Sequence, residues 1–222
     1  MNPGSWKRLL PWPKNERPTE RNLRLQGRLV VLREKRIGDV EADFAWRVDP
    51  ELASLDATSP LRLSLKEYTR YFRDELEYPS PWSVRLAVDT LGGEHIGNVM
   101  YYDVDERKRQ AELGIMIGVR EYWDRGYGTD VINTVLRHIF ADTGIERVYL
   151  HTLEWNERAQ TVFKKTGFTP VRKVSRDGHN FILMEMIRSD WLANHLDEDS
   201  ESQVAGSRAS VDFGGGTSGI SG

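Results

Sequence analysis

A glycine-bracketed turn at residues 125–129, with the letters RGYGT, is the part of this sequence best suited to bind a charged ligand. A strand-like run at residues 111–118 leads toward it, and an amphipathic pattern at residues 130–140 predicts a helix directly after it. Free backbone N–H groups and the helix dipole favour an anion at such a helix start, and glycine lets the backbone approach a ligand closely. The sequence therefore predicts a phosphate-binding turn.

Two common phosphate-binding patterns fit this turn poorly. A dinucleotide-binding Rossmann site needs three glycines, parallel strands and an acidic residue after the next strand. Here antiparallel hairpins are predicted before the turn, and the strand that follows the helix ends in His151 and Thr152. A nucleotide-triphosphate loop needs Gly-Lys-Ser/Thr, which does not follow the turn. The ligand therefore has to be inferred from the surrounding elements.

Length and composition limit the class of protein without identifying it. The 222 residues can form one sizeable core or two small ones, and the net charge of −3 gives no general reason to expect a nucleic acid partner. The absence of cysteine excludes disulfides, thiolate metal ligands and a cysteine nucleophile. No run reaches the about 18 apolar residues of a membrane helix, and the N-terminus does not fit a signal peptide. We expect a cytoplasmic protein that does not bind membranes.

The order of the predicted elements indicates a mixed α/β domain. Hydrophobic periodicity and turn signals predict the order β-α-α-β-β-β-α-β-α-β-β, without an internal repeat. Ser64 and Glu67 have the spacing of a capping box and predict the start of the second helix. Residues 51–60 are expected to form a loop or a short helical turn, and regular structure is expected to begin at Gly27.

Composition also predicts the domain boundaries. Residues 1–25 are rich in proline and basic side chains and are expected to form a mostly irregular N-terminal arm. Residues 26–192 form the predicted folded domain. Residues 193–222 are acidic and then rich in serine and glycine, and this composition predicts a disordered tail.

Three motifs in this element order resemble the GNAT N-acetyltransferase superfamily over about residues 25–191. Residues 123–129, WDRGYGT, are similar to the acyl-CoA pyrophosphate signature Gln/Arg-x-x-Gly-x-Gly/Ala, although Trp123 stands where Gln or Arg is usual. The letters NERA at 156–159 and GF at 167–168 resemble the signature Asn-x-x-Ala/Ser followed by Gly-Phe.

The third motif points to one branch of the superfamily. Leu32 and Arg33 on the first strand, with Trp46, Arg47 and Asp49 at a helix end, resemble the ribosomal-protein N-terminal alanine acetyltransferases. The resemblance to this branch implies that the acceptor is a protein N-terminal amine. A small amine, such as a polyamine, an aminoglycoside or an amino acid, is the alternative acceptor. A non-catalytic acyl-CoA sensor that has kept the fold is an alternative from another functional class.

The resemblance implies a fold, a co-substrate and a set of binding residues. The fold is the acyl-CoA N-acyltransferase fold, an α/β (α+β) domain with a single mixed, mostly antiparallel sheet flanked by helices. Acetyl-CoA is the implied co-substrate, and an amine attacks it directly in a ternary complex. The cofactor-binding residues implied are Ile117, Gly118, Val119, Arg125, Gly126, Tyr127, Gly128, Thr129, Asn156 and Phe163.

These residues have distinct implied roles. Backbone amides of residues 125–129 would hold the pyrophosphate, and residues 117–119 would pair with the pantetheine arm like an added strand. Asn156 either caps its helix or binds the cofactor, and both roles are compatible. Phe163 stands where many relatives carry a tyrosine that protonates the departing thiolate. Because phenylalanine cannot donate a proton, no general acid is assigned, and Phe163 is expected to contact the pantetheine arm.

Glu112 is the candidate catalytic residue. Acyl transfer needs an unprotonated amine, so a base or a water relay assists the reaction. Glu112 lies near the start of the central strand, on the face opposite Leu113, and matches a position where many of these enzymes carry glutamate. A surface or salt-bridged carboxylate is the alternative. His151 is a second candidate base, with a packed or solvated histidine as its alternative.

The acceptor is expected between the first two helices and the last hairpin. Its candidate lining consists of aromatic and acidic residues, namely Trp46, Asp49, Tyr101, Tyr102 and Trp155. No histidine and carboxylate cluster has metal-ligand spacing, so no metal is expected. The expected partner is the amine acceptor, with no nucleic acid and no membrane, and a homodimer is an assembly that the sequence leaves open.

Overall fold

The computed structural model of the protein describes residues 23–194. The predicted arm up to residue 22 and the predicted tail from residue 195 lie outside the described residues. The described part begins with a strand at residue 24, whereas the sequence analysis expected regular structure to begin at Gly27. The short strand pairs with the next one, which explains why its local sequence alone did not predict it.

Strands and helices follow the predicted order with two additions. The strands are β1 (Arg24–Gln26), β2 (Val30–Glu34), β3 (Val84–Thr90), β4 (His95–Asp105), β5 (Gln110–Ile117), β6 (Arg147–Leu153), β7 (Thr169–Arg176) and β8 (His179–Ile187). The helices are α1 (Val40–Val48), α2 (Pro50–Leu55), α3 (Leu65–Glu77), α4 (Tyr127–Asp142) and α5 (Glu157–Lys165). Short 3-10 turns occur at Ile37–Asp39 and Arg120–Tyr122, and residues 188–194 are helical. The two additions to the predicted order are β1 and α2, and the helix at residues 188–194 follows the last predicted strand.

The strands form one sheet in the order β1-β2-β3-β4-β5-β6-β8-β7. Every neighbouring pair is antiparallel except β5 and β6, which are parallel. The predicted fold class, a single mostly antiparallel sheet flanked by helices, is confirmed.

The sheet forks between its two parallel strands. Pairing between β5 and β6 covers residues 110–112 and 147–149 only, and Glu112 opposite Tyr149 is its last pair. Beyond that point β5 continues to Ile117 and β6 continues to Leu153. The two strands therefore diverge and leave a wedge-shaped opening inside the sheet.

Helix α4 covers one face of the sheet and fills the core. The apolar stripe that predicted this helix is fully buried, and its members are Val131, Ile132, Val135, Leu136, Ile139 and Phe140. On the opposite face α1 contacts β4, where Asn98 Nδ2 donates to Asp43 Oδ1 at 2.9 Å. The sheet is therefore sandwiched, and the fork opens between helices on both sides.

Helix termini agree with the sequence signals in part. The capping box is confirmed, because Ser64 Oγ accepts from the N–H of Glu67 and the Glu67 carboxylate accepts from the N–H of Ser64. Of the two alternatives for residues 51–60, a loop or a short helical turn, the structure has the helical one, α2. The Asp49 carboxylate caps this helix by accepting from the N–H of Glu51 at 2.9 Å and Leu52 at 3.0 Å.

Asp130 ties the start of α4 to the turn between β1 and β2. Its carboxylate accepts from the backbone N–H of Arg28 at 3.1 Å, Leu29 at 2.7 Å and Val30 at 3.1 Å. Gly27 precedes these donors, and a Cβ there would lie 2.5 Å from Asp130 Oδ2. The carboxylate therefore fixes the helix that carries the glycine turn, and it needs a residue without a side chain beside it.

We predict that Gly27→Ala destabilises the protein by about 1–3 kcal/mol in urea denaturation, because the added methyl group displaces a carboxylate held by backbone hydrogen bonds. Gly38→Ala is the matched control, since no atom lies within 4 Å of the Cβ position at Gly38. We expect the control to change stability by no more than about 0.5 kcal/mol. Equal stability of the two variants would contradict the close contact described between Gly27 and the Asp130 carboxylate.

Candidate active site

The glycine turn leaves donors free at the start of α4. Gly126 is the residue before the helix and has a φ of 85°, a left-handed conformation that glycine adopts without strain. The helix begins at Tyr127 rather than at residue 130, so Gly128 and Thr129 belong to its first turn. No side chain caps this helix, and the first N–H groups of a helix have no partner within it. The geometry is suited to an anion such as a phosphate group.

Trp123 closes the linker between β5 and α4. Its indole N–H donates to the carbonyl oxygen of Ile117 at 2.7 Å. The guanidinium of Arg158, in the first turn of α5, lies 3.7 Å from the centre of a Trp123 ring, which is a cation–π contact. Trp123 thus links the end of β5 to the helices on both sides of the fork, a role that the sequence pattern did not reveal.

Gly118 is required by a close side-chain contact. A Cβ at this position would lie 2.2 Å from Cδ2 of Trp46, so the indole packs directly on the Gly118 backbone. Trp46 is buried and its ring also stacks at 5.0 Å on His95. Trp46 therefore accounts for the missing side chain at Gly118, and it also borders the large groove beside this strand.

The backbone of β5 faces the fork at alternate residues. Gly118 N–H donates to Ile96 O at 2.9 Å, in register with the antiparallel β4–β5 ladder. Alternation in such a ladder turns the N–H and C=O groups of Leu113, Ile115 and Ile117 the other way, toward the fork. Val119 N–H also donates to Ile96 O, at 3.3 Å. Among the predicted pantetheine contacts, Ile117 therefore faces the fork, whereas the N–H groups of Gly118 and Val119 do not.

Glu112 and His151 meet at the apex of the fork. His151 Nδ1 lies 2.8 Å from Glu112 Oε1, and their side chains are 16% and 9% exposed. The parallel register brings them together, because His151 lies on the same face of β6 as Tyr149, the pairing partner of Glu112. Sequence reasoning singled out both residues but not their contact.

Two tyrosines surround this carboxylate. Burial, together with the charge of Glu112 and a hydrogen bond to it, raises the pKa of the Tyr102 hydroxyl above its ordinary value. Burial and the Glu112 charge also raise the pKa of Tyr149. Both phenols therefore stay protonated at neutral pH, and Tyr102 can donate to the carboxylate.

Asn156 and Phe163 lie on α5, beside the fork. Asn156 Oδ1 accepts from the N–H of Ala159 at 3.1 Å, so its helix-capping role is present in the structure. Phe163 is buried and packs edge-to-face on Phe168 with ring centres 5.9 Å apart. Its ring also borders the groove described next.

One groove of about 2660 Å³ runs from the glycine turn past the fork to α3 and the β7–β8 hairpin. Typical pockets for one small ligand measure about 300–1,000 Å³, so this groove has room for two substrates. Of the expected acceptor lining, Tyr102 lies beside Glu112. Tyr101 also borders the groove, and its hydroxyl lies 3.4 Å from His138 Nε2 on the α4 side of the sheet. Asp49 is paired with Arg120, and Trp155 is 56% exposed near the hairpin.

Within residues 23–194, no group of three or more histidine and carboxylate side chains could hold a metal ion. None of the helices in this part of the chain is long and apolar enough to cross a membrane.

Comparison with known proteins gives a family and a fold. Residues 29–169 match the family described as Acetyltransferase (GNAT) domain. The uncharacterized N-acetyltransferase YoaA of Bacillus subtilis (strain 168) is 29% identical over 75 residues, which are 34% of this chain and 42% of YoaA. The matched segment is thus less than half of that relative.

Solved structures of acetyltransferases superpose on most of the chain. Spermidine N-acetyltransferase from Vibrio cholerae, in complex with CoA and spermine, has a TM-score of 0.66 at 20% identity, covering 74% of this chain and 98% of that one. An acetyltransferase (GNAT family) from Bacillus anthracis has a TM-score of 0.64 at 11% identity, covering 75% and 99%. At these identities the likeness establishes the fold.

We predict that Trp123→Phe weakens CoA binding about 2- to 10-fold in titration calorimetry, because the variant loses one hydrogen bond to Ile117 but keeps a ring beside Arg158. Trp82→Phe is the control, since Trp82 is an exposed tryptophan outside the groove, and its CoA affinity should equal that of the wild type. Unchanged affinity in Trp123→Phe would show that the linker does not depend on this hydrogen bond.

Proposed function

Because the chain belongs to the acetyltransferase (GNAT) family, we propose that it transfers the acetyl group of acetyl-CoA to a primary amine by direct attack in a ternary complex. The observation that carries this proposal is the alignment of three features along β5. The Glu112–His151 pair lies at the apex of the fork, the open backbone edge follows, and the anion-binding turn comes last.

The cofactor roles follow from this alignment. Residues 112 to 117 of an extended strand span about 17 Å, at about 3.3 Å per residue, which suits an extended pantetheine arm. In our proposal Leu113, Ile115 and the N–H of Ile117 offer backbone groups to that arm, since the Ile117 carbonyl oxygen already accepts from Trp123. Gly118 and Val119 contribute contact surface, because their N–H groups already bond Ile96.

The turn and α5 hold the remainder of the cofactor in this proposal. The backbone N–H groups at residues 125–129 bind the pyrophosphate, favoured by the helix dipole of α4. Asn156 stands at the start of α5 and Phe163 borders the groove, so both are proposed to contact the cofactor beside the fork. The catalytic pair then meets the thioester end.

We favour a small amine over a protein N-terminus as the acceptor. The motif that suggested the N-terminal branch has structural contacts that account for it. Arg33 is buried and bridges Asp39 at 2.8 Å and Asp89 at 2.7 Å, and Trp46 packs on Gly118. Ion pairing and packing therefore account for Arg33 and Trp46 without an N-terminal acceptor. The likeness to a spermidine N-acetyltransferase supports a polyamine, although at 20% identity it does not establish one.

The same features argue for an enzyme over an acyl-CoA sensor. A sensor needs the turn and the open strand edge, but it has no need for a titratable pair that faces the groove at the thioester end. A cytoplasmic location and a homodimer remain predictions from the sequence.

We predict that the wild type releases CoA when acetyl-CoA is supplied with a polyamine, and that Glu112→Gln lowers kcat/KM at least about 100-fold. The reason is that the variant loses the carboxylate that drives proton removal from the ammonium group. Affinity for CoA should be unchanged. The assay compares spermidine, an aminoglycoside and a peptide with N-terminal alanine at equal concentrations.

Glu185→Gln is the matched control for this variant. Glu185 is a partly buried carboxylate of the same sheet that pairs with Arg147 at 2.7 Å, and its loss should leave kcat/KM within about twofold. Full activity of Glu112→Gln would refute the proposed role of the pair. Binding of acetyl-CoA without turnover of any amine would favour the sensor, and preference for the peptide would restore the N-terminal acceptor.

A further inference from the structure

We propose that His151 Nε2, and not the Glu112 carboxylate, takes the proton from the acceptor amine, with Glu112 as the residue that positions and orients the imidazole. The assignment rests on the proposed acetyl transfer. It makes His151 the catalytic base and Glu112 a positioning residue.

The hydrogen bond between the two residues fixes the tautomer of the ring. An ionised carboxylate can only accept hydrogen bonds. At 2.8 Å from Glu112 Oε1, Nδ1 of His151 must therefore carry the hydrogen. In the neutral ring the lone pair then lies on Nε2, which is the nitrogen able to accept a proton.

The accessible atom of the pair belongs to the histidine. His151 borders the groove, and no hydrogen bond engages its Nε2 within residues 23–194. This nitrogen is also absent from the buried side-chain atoms that lack a partner, so it is open to the groove. Glu112, by contrast, is 7% exposed and is held by His151 on one side and the Tyr102 hydroxyl on the other.

The remaining groups around His151 are compatible with a proton acceptor. Tyr149 and Phe181 meet its ring edge-to-face, with ring centres 6.0 Å and 6.2 Å away. Tyr102 and Glu112 face it from β4 and β5, and the hairpin contributes Arg176, Asp177 and His179 to the same end of the groove. Glu112 is the carboxylate in direct contact with the ring and stabilises the imidazolium once it forms.

The proton and bond changes balance with this assignment. Nε2 takes one proton from the ammonium group, and the freed nitrogen lone pair forms a C–N bond to the thioester carbonyl carbon. The tetrahedral intermediate breaks its C–S bond, and the electron pair leaves with sulfur as the CoA thiolate. The second amine proton passes to water, and the imidazolium returns its proton to the thiolate. This return accounts for a site in which Phe163 cannot act as an acid.

A second carboxylate–histidine pair provides a matched control. His138 Nδ1 lies 2.8 Å from Asp142 Oδ2, the same separation as in the Glu112–His151 pair. This pair is on α4, and Tyr101 is the hydrogen-bond partner of His138 Nε2. It therefore reproduces the contact without an open nitrogen at the fork.

The test measures kcat/KM against pH for the wild type, His151→Gln, Glu112→Gln and the double variant, with the amine that the wild type acetylates best. His151→Gln should lower kcat/KM by about 10²- to 10⁴-fold. It should also remove the ascending limb of the profile of kcat/KM against pH. Glu112→Gln should keep that limb at a lower kcat/KM, because the imidazole is still present but is no longer held by the carboxylate. The kcat/KM of the double variant should be no lower than that of His151→Gln. His138→Gln should keep the wild-type profile.

Imidazole rescue gives a second readout for variants of His151. His151→Ala should regain activity when free imidazole is added, whereas Glu112→Gln should not respond. Loss of the limb in Glu112→Gln together with its retention in His151→Gln would overturn the assignment and return the base role to Glu112. If His151→Gln fails to fold, the pH profile of Glu112→Gln alone decides between the two bases. An ascending limb supports His151 as the base, and its loss supports Glu112. A wild type without turnover on any amine would instead overturn the proposed acetyl transfer, and this assignment with it.

Discussion

The site depends on the point where β5 and β6 stop pairing. A parallel ladder that continued past Glu112 and Tyr149 would occupy the backbone groups of both strands and leave no opening in the sheet. Because the strands diverge, the groups of β5 that face the fork stay available to a ligand up to the N–H of Ile117, whose carbonyl oxygen accepts from Trp123. The same divergence places Glu112 beside His151 at the only end of the opening where the two strands still touch. The open backbone edge of β5 and the Glu112–His151 pair thus have the same structural cause, the divergence of β5 and β6.

Contacts on both sides of the fork keep it in shape. Asp130 holds the first turn of α4 on the β1–β2 turn through hydrogen bonds from three backbone N–H groups. Trp123 bonds the last carbonyl of β5 and packs on Arg158 of α5, which couples the anion-binding turn to the helix across the opening. On the other face, Trp46 packs on the bare backbone of Gly118. Apart from the Trp123–Ile117 hydrogen bond, these contacts join elements that are distant in sequence, so the turn is held by tertiary structure as much as by its glycines.

Local signals in the sequence predicted most of the fold, because neighbouring residues decide helix starts, turns and amphipathic faces. The capping box at Ser64 is one such signal. The site could be predicted only in part. Glu112 stood out as a carboxylate on a central strand, but its contact with His151 joins residues 39 positions apart and depends on the parallel register. The role of Trp123 rests on an indole hydrogen bond that no spacing encodes. Similarly, the cap by Asp49 explains why residues 50–55 form α2, where the sequence left a loop or a short helical turn open.

The central claim is that the fork holds the acyl arm of the cofactor with its thioester beside the Glu112–His151 pair. A crystal structure with a non-reactive thioether analogue of acetyl-CoA tests it most directly. The account predicts the pyrophosphate on the N–H groups at the start of α4, the pantetheine arm along β5, and the acyl carbon next to His151 Nε2. An analogue bound with its acyl end away from the apex of the fork, or with β5 and β6 closed against each other, would contradict it.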